Sequence, residues 1–413
     1  MTGIVLTVFF PFAAGYYLSY FYRAVPAIIA DRLGQELSLT AEALGTIAAA
    51  YFLAFALAQL PLGMALDRFG PRRVQTVLLL IAALGATIFG LGEDATQLWI
   101  GRALIGLGCA GGLMGSFKAI TLWFPQQRWP LINGCLLGTG GLGALTATTP
   151  VEYMLSDNGL GLGWQEIFYM LAIASVIVSI LIFITVPEKE GSKTTESLRE
   201  QASGLKQIYG AGVFWRLAPI SVFTMAAGMA IHTLWSGPWL RDVALLTDTE
   251  VAEYLRVLGI SLTAGFVGGG VVADFLTRRG VPLLAVMGGG LILMFCAQAA
   301  LAFAIDPKAY WPWVMFGLCS NMSALVFPYL SGQYPLHLSG RVSTALNVLV
   351  FAFVFVFQAG IGMVIDQYPA TETGFAAEGY GVAYTIILGL EILAFLWLIL
   401  SIWSVRKNDG SEG

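Results

Sequence analysis

The chain has 413 residues, of which 57% are hydrophobic and 11% are charged, and its formal net charge at pH 7 is -4. Soluble globular proteins carry roughly 25% charged residues, so this composition excludes a soluble globule and indicates an integral membrane protein. The small net charge gives no reason to expect a nucleic-acid partner. The sequence contains no nucleophile triad, metal-ligand cluster or phosphate-binding loop, so neither an enzyme nor a cofactor or metal site is expected.

Twelve apolar runs are long enough to form membrane-spanning helices, each of which needs about 20 residues. In chain order they cover residues 4–30, 42–66, 74–92, 96–123, 130–155, 164–186, 213–240, 251–276, 281–304, 311–335, 341–366 and 379–404. The runs do not alternate apolar and polar residues as spanning strands would. The predicted fold class is therefore an all-α membrane protein with twelve transmembrane helices.

The longest polar stretch, PEKEGSKTTESLREQASGLKQIYGAG, lies near the middle of the chain. It predicts a cytoplasmic linker over residues 187–212 between two six-helix bundles, at 1–186 and 213–413. With both termini in the cytoplasm, 14 Lys and Arg residues fall inside and 4 fall outside. The positive-inside rule favours this topology. We expect a monomer in the plasma (inner) membrane, with the lipid bilayer as its surroundings.

The two bundles repeat short sequence landmarks. GMALDRFGPRR closes the second span and GVVADFLTRRG closes the eighth, and their aspartates Asp67 and Asp274 are 207 residues apart. Pro125 and Pro335, which precede spans five and eleven, are 210 residues apart. Such nearly constant offsets predict two pseudo-symmetric halves, as in transporters built from parallel repeats.

Twelve spans in two repeated halves, with Gly-x-x-x-Asp-Arg-x-Gly-x-Arg-Arg after span two, resemble the major facilitator superfamily. The resemblance implies a secondary transporter that works by alternating access. It also implies a cytoplasmic latch, in which Gly63 permits close approach, Asp67 faces the N-terminal end of span eleven and nearby arginines neutralise the acid. The latch residues are Gly63, Asp67, Arg68, Arg72 and Arg73, with Asp274, Arg278 and Arg279 forming a weaker partner against span five.

Ionisable groups inside spans are costly and usually functional. Arg23, in LSYFYRAVPAII, lies in a segment that resembles the first helix of anion–cation symporter and nitrate/nitrite porter relatives, where such an Arg meets an anionic substrate. Arg102 matches the family's span-four pattern of Arg followed by small residues. Lys118 either lines the inner cavity or reaches the cytoplasm. These three cations favour an anionic cargo.

Other polar and aromatic side chains in the spans are either ligands or interhelical packing and hydrogen-bonding residues. The predicted substrate-binding residues are Arg23, Arg102, Lys118, Tyr20, His232, Trp235, Asn321, Asn347 and Gln358. The predicted proton-coupling residues are Glu152, His232 and Glu391. Trp239 either caps the cavity or anchors the chain at the membrane interface.

The leading hypothesis is proton-coupled import of a small organic anion. The alternative is proton-coupled efflux of a drug or metabolite, and the third is a non-transporting receptor or assembly factor. Nitrate is disfavoured because spans two and eight lack the buried arginine that nitrate porters carry there. Drug efflux is less favoured because span five lacks the Gly-Pro pair of drug–proton antiporters.

Overall fold

The computed structural model describes residues 2–188, 205–371 and 374–409, so residues 189–204 of the predicted linker lie outside it. Within these ranges twelve stretches of helix are long and apolar enough to cross a membrane. We number them spans 1 to 12: Val5–Ala24, Ala41–Gln59, Pro61–Gly90, Ala95–Trp123, Leu131–Leu155, Trp164–Thr185, Gly212–Asp242, Asp248–Arg278, Leu283–Ala302, Trp311–Ser331, Arg341–Ile365 and Ala377–Ile402. The predicted fold class is confirmed. Spans 1–6 form the first half and spans 7–12 the second half.

Prolines and glycines interrupt several of these spans. The helices, including short 3-10 and π segments, are Thr2–Ile4, Val5–Phe9, Phe10–Ala24, Pro26–Glu36, Ala41–Gly90, Ala95–Cys109, Gly111–Trp123, Gln126–Arg128, Trp129–Thr146, Thr149–Leu155, Trp164–Thr185, Gly212–Ala230, Ile231–Trp235, Ser236–Asp242, Asp248–Arg278, Leu283–Ala302, Trp311–Cys319, Met322–Leu325, Val326–Ser331, Leu336–Ile365 and Ala377–Asp409.

The long helix Ala41–Gly90 contains two helices joined at a kink. The kink lies at Gly70, whose φ of 76° is a conformation that glycine adopts without strain. Pro71 follows it and has no amide to continue the preceding helix. In place of the hydropathy bounds given above, we therefore take residues 41–69 as span 2 and residues 71–90 as span 3, so Asp67 lies near the end of span 2.

Polar contacts between the halves lie at one end of the bundle, which we call the Asp31 end. Arg241 Nε lies 3.5 Å from Asp31 Oδ2, and Arg32 Nη2 lies 3.4 Å from Asp248 Oδ2. At the opposite end, which we call the Asp67 end, Asp67 pairs with Lys118, Arg73 with Glu188 and Arg278 with Asp274, and each of these pairs lies within one half. The halves are therefore joined at the Asp31 end.

Candidate functional site

Arg23 lies at the end of span 1, and its guanidinium packs among aromatic rings from spans 1, 2 and 11. Its Cζ is 4.9 Å from the ring centroid of Tyr20 and 5.6 Å from that of Tyr51. The distances to the ring centroids of Phe55 and Phe351 are 5.2 and 5.6 Å. Because Phe351 belongs to the second half, this aromatic cluster spans the contact between the halves.

The aromatic cluster leaves the charge of Arg23 incompletely compensated. Arg23 is 8% exposed, and its Nε has no hydrogen-bond partner in the part of the chain that the structure describes. Among the described residues, no carboxylate lies within the 4.0 Å ion-pair distance of it. Cation–π contacts contribute about 0.5–2 kcal/mol each, while burial of an ion costs several kcal/mol. An anionic ligand would supply the missing compensation.

Arg102 is buried nearby but is bonded to the backbone. It is 1% exposed, and its Nη1 donates a hydrogen bond of 2.9 Å to the carbonyl of Tyr22. That carbonyl has no helical partner because Pro26, four residues later, lacks an amide hydrogen. Arg102 therefore stabilises the helix break at the end of span 1 by bonding the carbonyl that the break leaves free. Direct contact of Arg102 with the substrate stays a prediction.

The ring of Tyr51 lies between Arg23 and Arg102 and makes a cation–π contact with each of them. Its centroid is 5.3 Å from Arg102 Cζ and 5.6 Å from Arg23 Cζ. The two cations thus contribute to the same positive field, although Arg23 alone approaches the second half. Tyr20, also predicted as a ligand, is half-buried and packs edge-on against Tyr16 with centroids 5.0 Å apart.

His232 faces this region from the second half. It lies within electrostatic range of Arg23, and its Nδ1 is 2.7 Å from the carbonyl oxygen of Gly228. The hydrogen bond stays within one turn of span 7. The Nε2 of His232 makes no hydrogen bond to a described residue and stays available to another partner.

Trp235 and Gln358 are buried between spans 7 and 11. Trp235 Nε1 donates to the Gln358 carbonyl at 3.0 Å, and Gln358 Nε2 donates to Thr233 Oγ1 at 3.4 Å. Both side chains are 0% exposed. Both side chains therefore serve as packing residues between spans 7 and 11. Trp239 is 1% exposed and packs edge-on against Trp313, with centroids 5.3 Å apart, so the alternative of an interfacial anchor is wrong.

The two asparagines predicted as ligands lie on spans 10 and 11. Asn321 and Asn347 are both half-buried. The Nδ2 of Asn321 is a buried donor that no described residue accepts from. Asn321 therefore keeps hydrogen-bonding capacity for a ligand or a water molecule.

Lys118 is paired with Asp67. The distance from Lys118 Nζ to Asp67 Oδ1 is 2.8 Å. The side chain of Lys118 is 26% exposed and that of Asp67 is 32% exposed. The expectation that arginines neutralise Asp67 is wrong, because Lys118 does so from span 4 of the same half. This pairing also occupies Lys118, which was predicted as a substrate ligand.

The arginines after Asp67 contact other groups. Arg68 stacks on Phe69 at 5.2 Å, and Arg72 donates from Nε to the Phe183 carbonyl at 3.0 Å. Arg73 pairs with Glu188. These contacts fasten the turn between spans 2 and 3 to the end of span 6, within the first half.

The close helix approach expected at Gly63 is absent, since a Cβ there would meet no atom within 4 Å. In the second half, Arg278 Nε lies 2.9 Å from Asp274 Oδ2 one turn away, and both side chains are exposed. Arg279 stacks on Phe275 at 4.1 Å. In this structure these residues contact their own helix, so their latch role against span five stays a prediction.

Glu152 belongs to an ion-pair network at the Asp31 end. Arg32 Nη2 lies 3.0 Å from Glu152 Oε1 and also contacts Asp248 of the second half. Arg241 Nη2 contacts the same Asp248 at 2.9 Å. Asp31, opposite Arg241, is half-buried, and this burial raises the pKa of its carboxyl above the usual range although Arg241 acts in the opposite direction.

Glu391 is far from an aqueous surface. It is 0% exposed on span 12 and faces Gln298 of span 9, which is also 0% exposed. Neither carboxylate oxygen makes a hydrogen bond of normal geometry to a described residue. The two side chains belong to one half, so they do not report on the contact between the halves.

Sequence reasoning missed the aromatic partners of Arg23 and the arginines of the Asp31 end. Tyr51 is a polar aromatic residue in the middle of an otherwise apolar run, which was an available signal. Phe55 and Phe351 have no such signal, because buried phenylalanines are common in membrane helices. Arg32 and Arg241 entered only the count of Lys and Arg residues in the outside loops, and no contact was predicted for either.

Twelve apolar helices in two halves, with a buried cation where the halves meet, are the architecture of a polytopic membrane transporter. The family model described as Major Facilitator Superfamily matches residues 8–359 of the chain. The chain belongs to the major facilitator superfamily, which confirms the resemblance. Its relatives are transporters, in agreement with the prediction that it is not an enzyme.

Several relatives are named for anions. The probable sulfoacetate transporter SauU of Cupriavidus necator is 24% identical over 96% of this chain and 94% of its own. The nitrate/nitrite transporter NrtP of Nostoc punctiforme is 27% identical over 46% of this chain and 42% of its own. The probable galactarate/D-glucarate transporter GudP of Bacillus subtilis is 25% identical over 70% of each chain.

Solved structures show the same fold at low identity. A D-xylose-proton symporter aligns with a TM-score of 0.75 at 17% identity, covering 95% of this chain and 97% of that one. A bacterial homologue of the human lysosomal transporter Spinster, in an inward-facing and unoccupied conformation, aligns with a TM-score of 0.71 at 18% identity. That alignment covers 95% of this chain and 94% of the homologue.

Proposed function

We propose that this protein carries a small organic anion across the plasma (inner) membrane by alternating access, as an importer coupled to protons. The observation that carries the proposal is the Arg23 cluster, in which a buried guanidinium meets four aromatic rings and no carboxylate of a described residue. An anion placed there would accept charge-assisted hydrogen bonds, which are stronger than neutral ones. Relatives named for sulfoacetate, nitrate and galactarate or glucarate support the same class of cargo.

We assign the Asp31 end to the outside of the membrane, as the distribution of Lys and Arg favours. The structure is then an inward-facing state, since its cross-half ion pairs lie at the Asp31 end. The division at residues 187–212, the cytoplasmic termini and the monomeric state belong to the same proposal.

Proton coupling is assigned to acids that interact with the arginines of the Asp31 end. Glu152 lies within ion-pair distance of Arg32, and Asp31 lies within ion-pair distance of Arg241, so the protonation state of these acids is linked to the contact between the halves. His232 is the candidate beside Arg23 itself. Glu391 is a weaker candidate because its neighbour Gln298 is in the same half.

Uptake into proteoliposomes tests the proposal. The vesicles are given an inward proton gradient and a panel of sulfoacetate, galactarate, nitrate, xylose and a quinolone. We expect accumulation of at least one organic anion, stimulated by external acid and lost in Arg23→Gln, with no accumulation of xylose. Accumulation of no anion would contradict the proposal. Proton-driven movement of the quinolone instead would establish the efflux alternative.

A further inference from the structure

Spans 2 and 11 pack against each other, and each has an aspartate at or just after its C-terminal end. Asp67 lies near the last turn of span 2, and Asp366 comes directly after span 11. The spans run in opposite directions, so each aspartate lies at the end of the bundle where the other span begins. Asp366 is therefore at the Asp31 end, beside the first turn of span 2.

Asp366 caps that first turn from the other half. Its two carboxylate oxygens accept hydrogen bonds of 2.9 Å from the backbone amides of Ala41 and Glu42. The next amide, of Ala43, donates to the side chain of Thr40 at 3.2 Å. The first amides of a helix have no partner inside it and carry partial positive charge, so a carboxylate is favoured there.

The contact between spans 2 and 11 narrows toward this cap. A Cβ at Gly45 would come within 2.7 Å of the Gln358 carbonyl oxygen, and one at Gly362 within 2.3 Å of the Ala41 carbonyl oxygen. These glycines permit the backbones to touch at the Asp31 end. Farther along, Phe55 and Phe351 pack with centroids 4.4 Å apart. Beyond them, a Cβ at Gly63 would meet nothing within 4 Å.

We propose that Asp366 is a latch that holds the Asp31 end closed, and that it alternates with Asp67. When the Asp67 end closes, Asp67 would leave Lys118 and cap the beginning of span 11 in the same manner. The two caps exclude each other because they lie at opposite ends of one helix pair that rocks about the Phe55–Phe351 contact. The structure represents one of these two states, in which Asp366 is bound to span 2 and Asp67 is bound to Lys118. The inference rests on the alternating access in the proposed function.

Double electron–electron resonance tests the latch without any substrate. Spin labels at exposed positions Leu160 and Ile305, one in each half at the Asp31 end, report its opening in an otherwise cysteine-free protein. Asp366→Asn should raise the ratio of open to closed molecules by about two- to fivefold, as expected for a carboxylate at an exposed helix N-terminus. Glu253→Gln is the matched control, because Glu253 is an exposed acid that pairs with Arg256 in its own helix.

Two further variants keep the test decisive. Ala41→Pro removes one amide donor at the first helical position, where proline is tolerated, and should shift the ratio in the same direction as Asp366→Asn. Asp67→Asn should shift it in the opposite direction. Distances in Asp366→Asn and Ala41→Pro that match the wild type would overturn the latch. An opening shift without anion uptake by the wild type would keep the latch and reject the proposed cargo.

Discussion

Arg23→Gln is the substitution that tests the anion site most directly. Glutamine keeps polarity and much of the side-chain length but removes the positive charge from the aromatic cluster. No described carboxylate pairs with Arg23, so the charge is available to a ligand. A hydrogen bond to a charged group contributes about 1.5–3 kcal/mol. We therefore expect the dissociation constant of the anion to rise about 10- to 150-fold.

Isothermal titration calorimetry on the purified protein measures this change, with the anion that the uptake panel identifies. Arg256→Gln is the control, because Arg256 is an exposed arginine at the surface whose partner is Glu253 in the same helix. Arg23→Lys keeps the charge and loses the planar guanidinium that stacks on aromatic rings, so its affinity should fall between those of the wild type and Arg23→Gln.

If Arg23→Gln and Arg256→Gln bind the anion with the wild-type dissociation constant, Arg23 does not contact the cargo. Its aromatic neighbours would then have a packing role alone. Equal losses for the anion and for a neutral analogue would show that shape, and not charge, was removed.

Three other predictions follow from the structure. Burial raises the pKa of Asp31 in the closed state, so the closed Asp31 end binds a proton more tightly than an open one. Closure should therefore strengthen as the pH falls from that raised pKa toward the ordinary value of about 3.9, and electron–electron resonance in Asp31→Asn should show a flatter pH dependence. Arg102→Ala leaves the Tyr22 carbonyl without its donor and should lower the free energy of unfolding by about 1–3 kcal/mol relative to Arg256→Ala. An experimental structure should show spans 1–6 superposing on spans 7–12 as parallel repeats about an axis along the membrane normal; failure to superpose would contradict the repeat.

The span count and the fold class were readable from the sequence, because hydropathy over about 20 residues is a local property. Span 1 shows which features cannot be predicted from local sequence. Pro26 predicts a break, and the structure has one at Val25 between Phe10–Ala24 and Pro26–Glu36. The sequence does not say that Arg102, 80 residues away, donates to the carbonyl that the proline leaves free.

Hydropathy, charge and repeated motifs along the chain are enough to predict a membrane transporter of twelve spans with an arginine in the first. The contacts between side chains depend instead on how the helices pack. Asp67 pairs with Lys118 rather than with the arginines that follow it, and Asp366 reaches an amide 325 residues away in the chain. A charge in an apolar medium is stabilised by whichever partner the packing brings within a few ångströms, and that packing depends on helices from the whole chain.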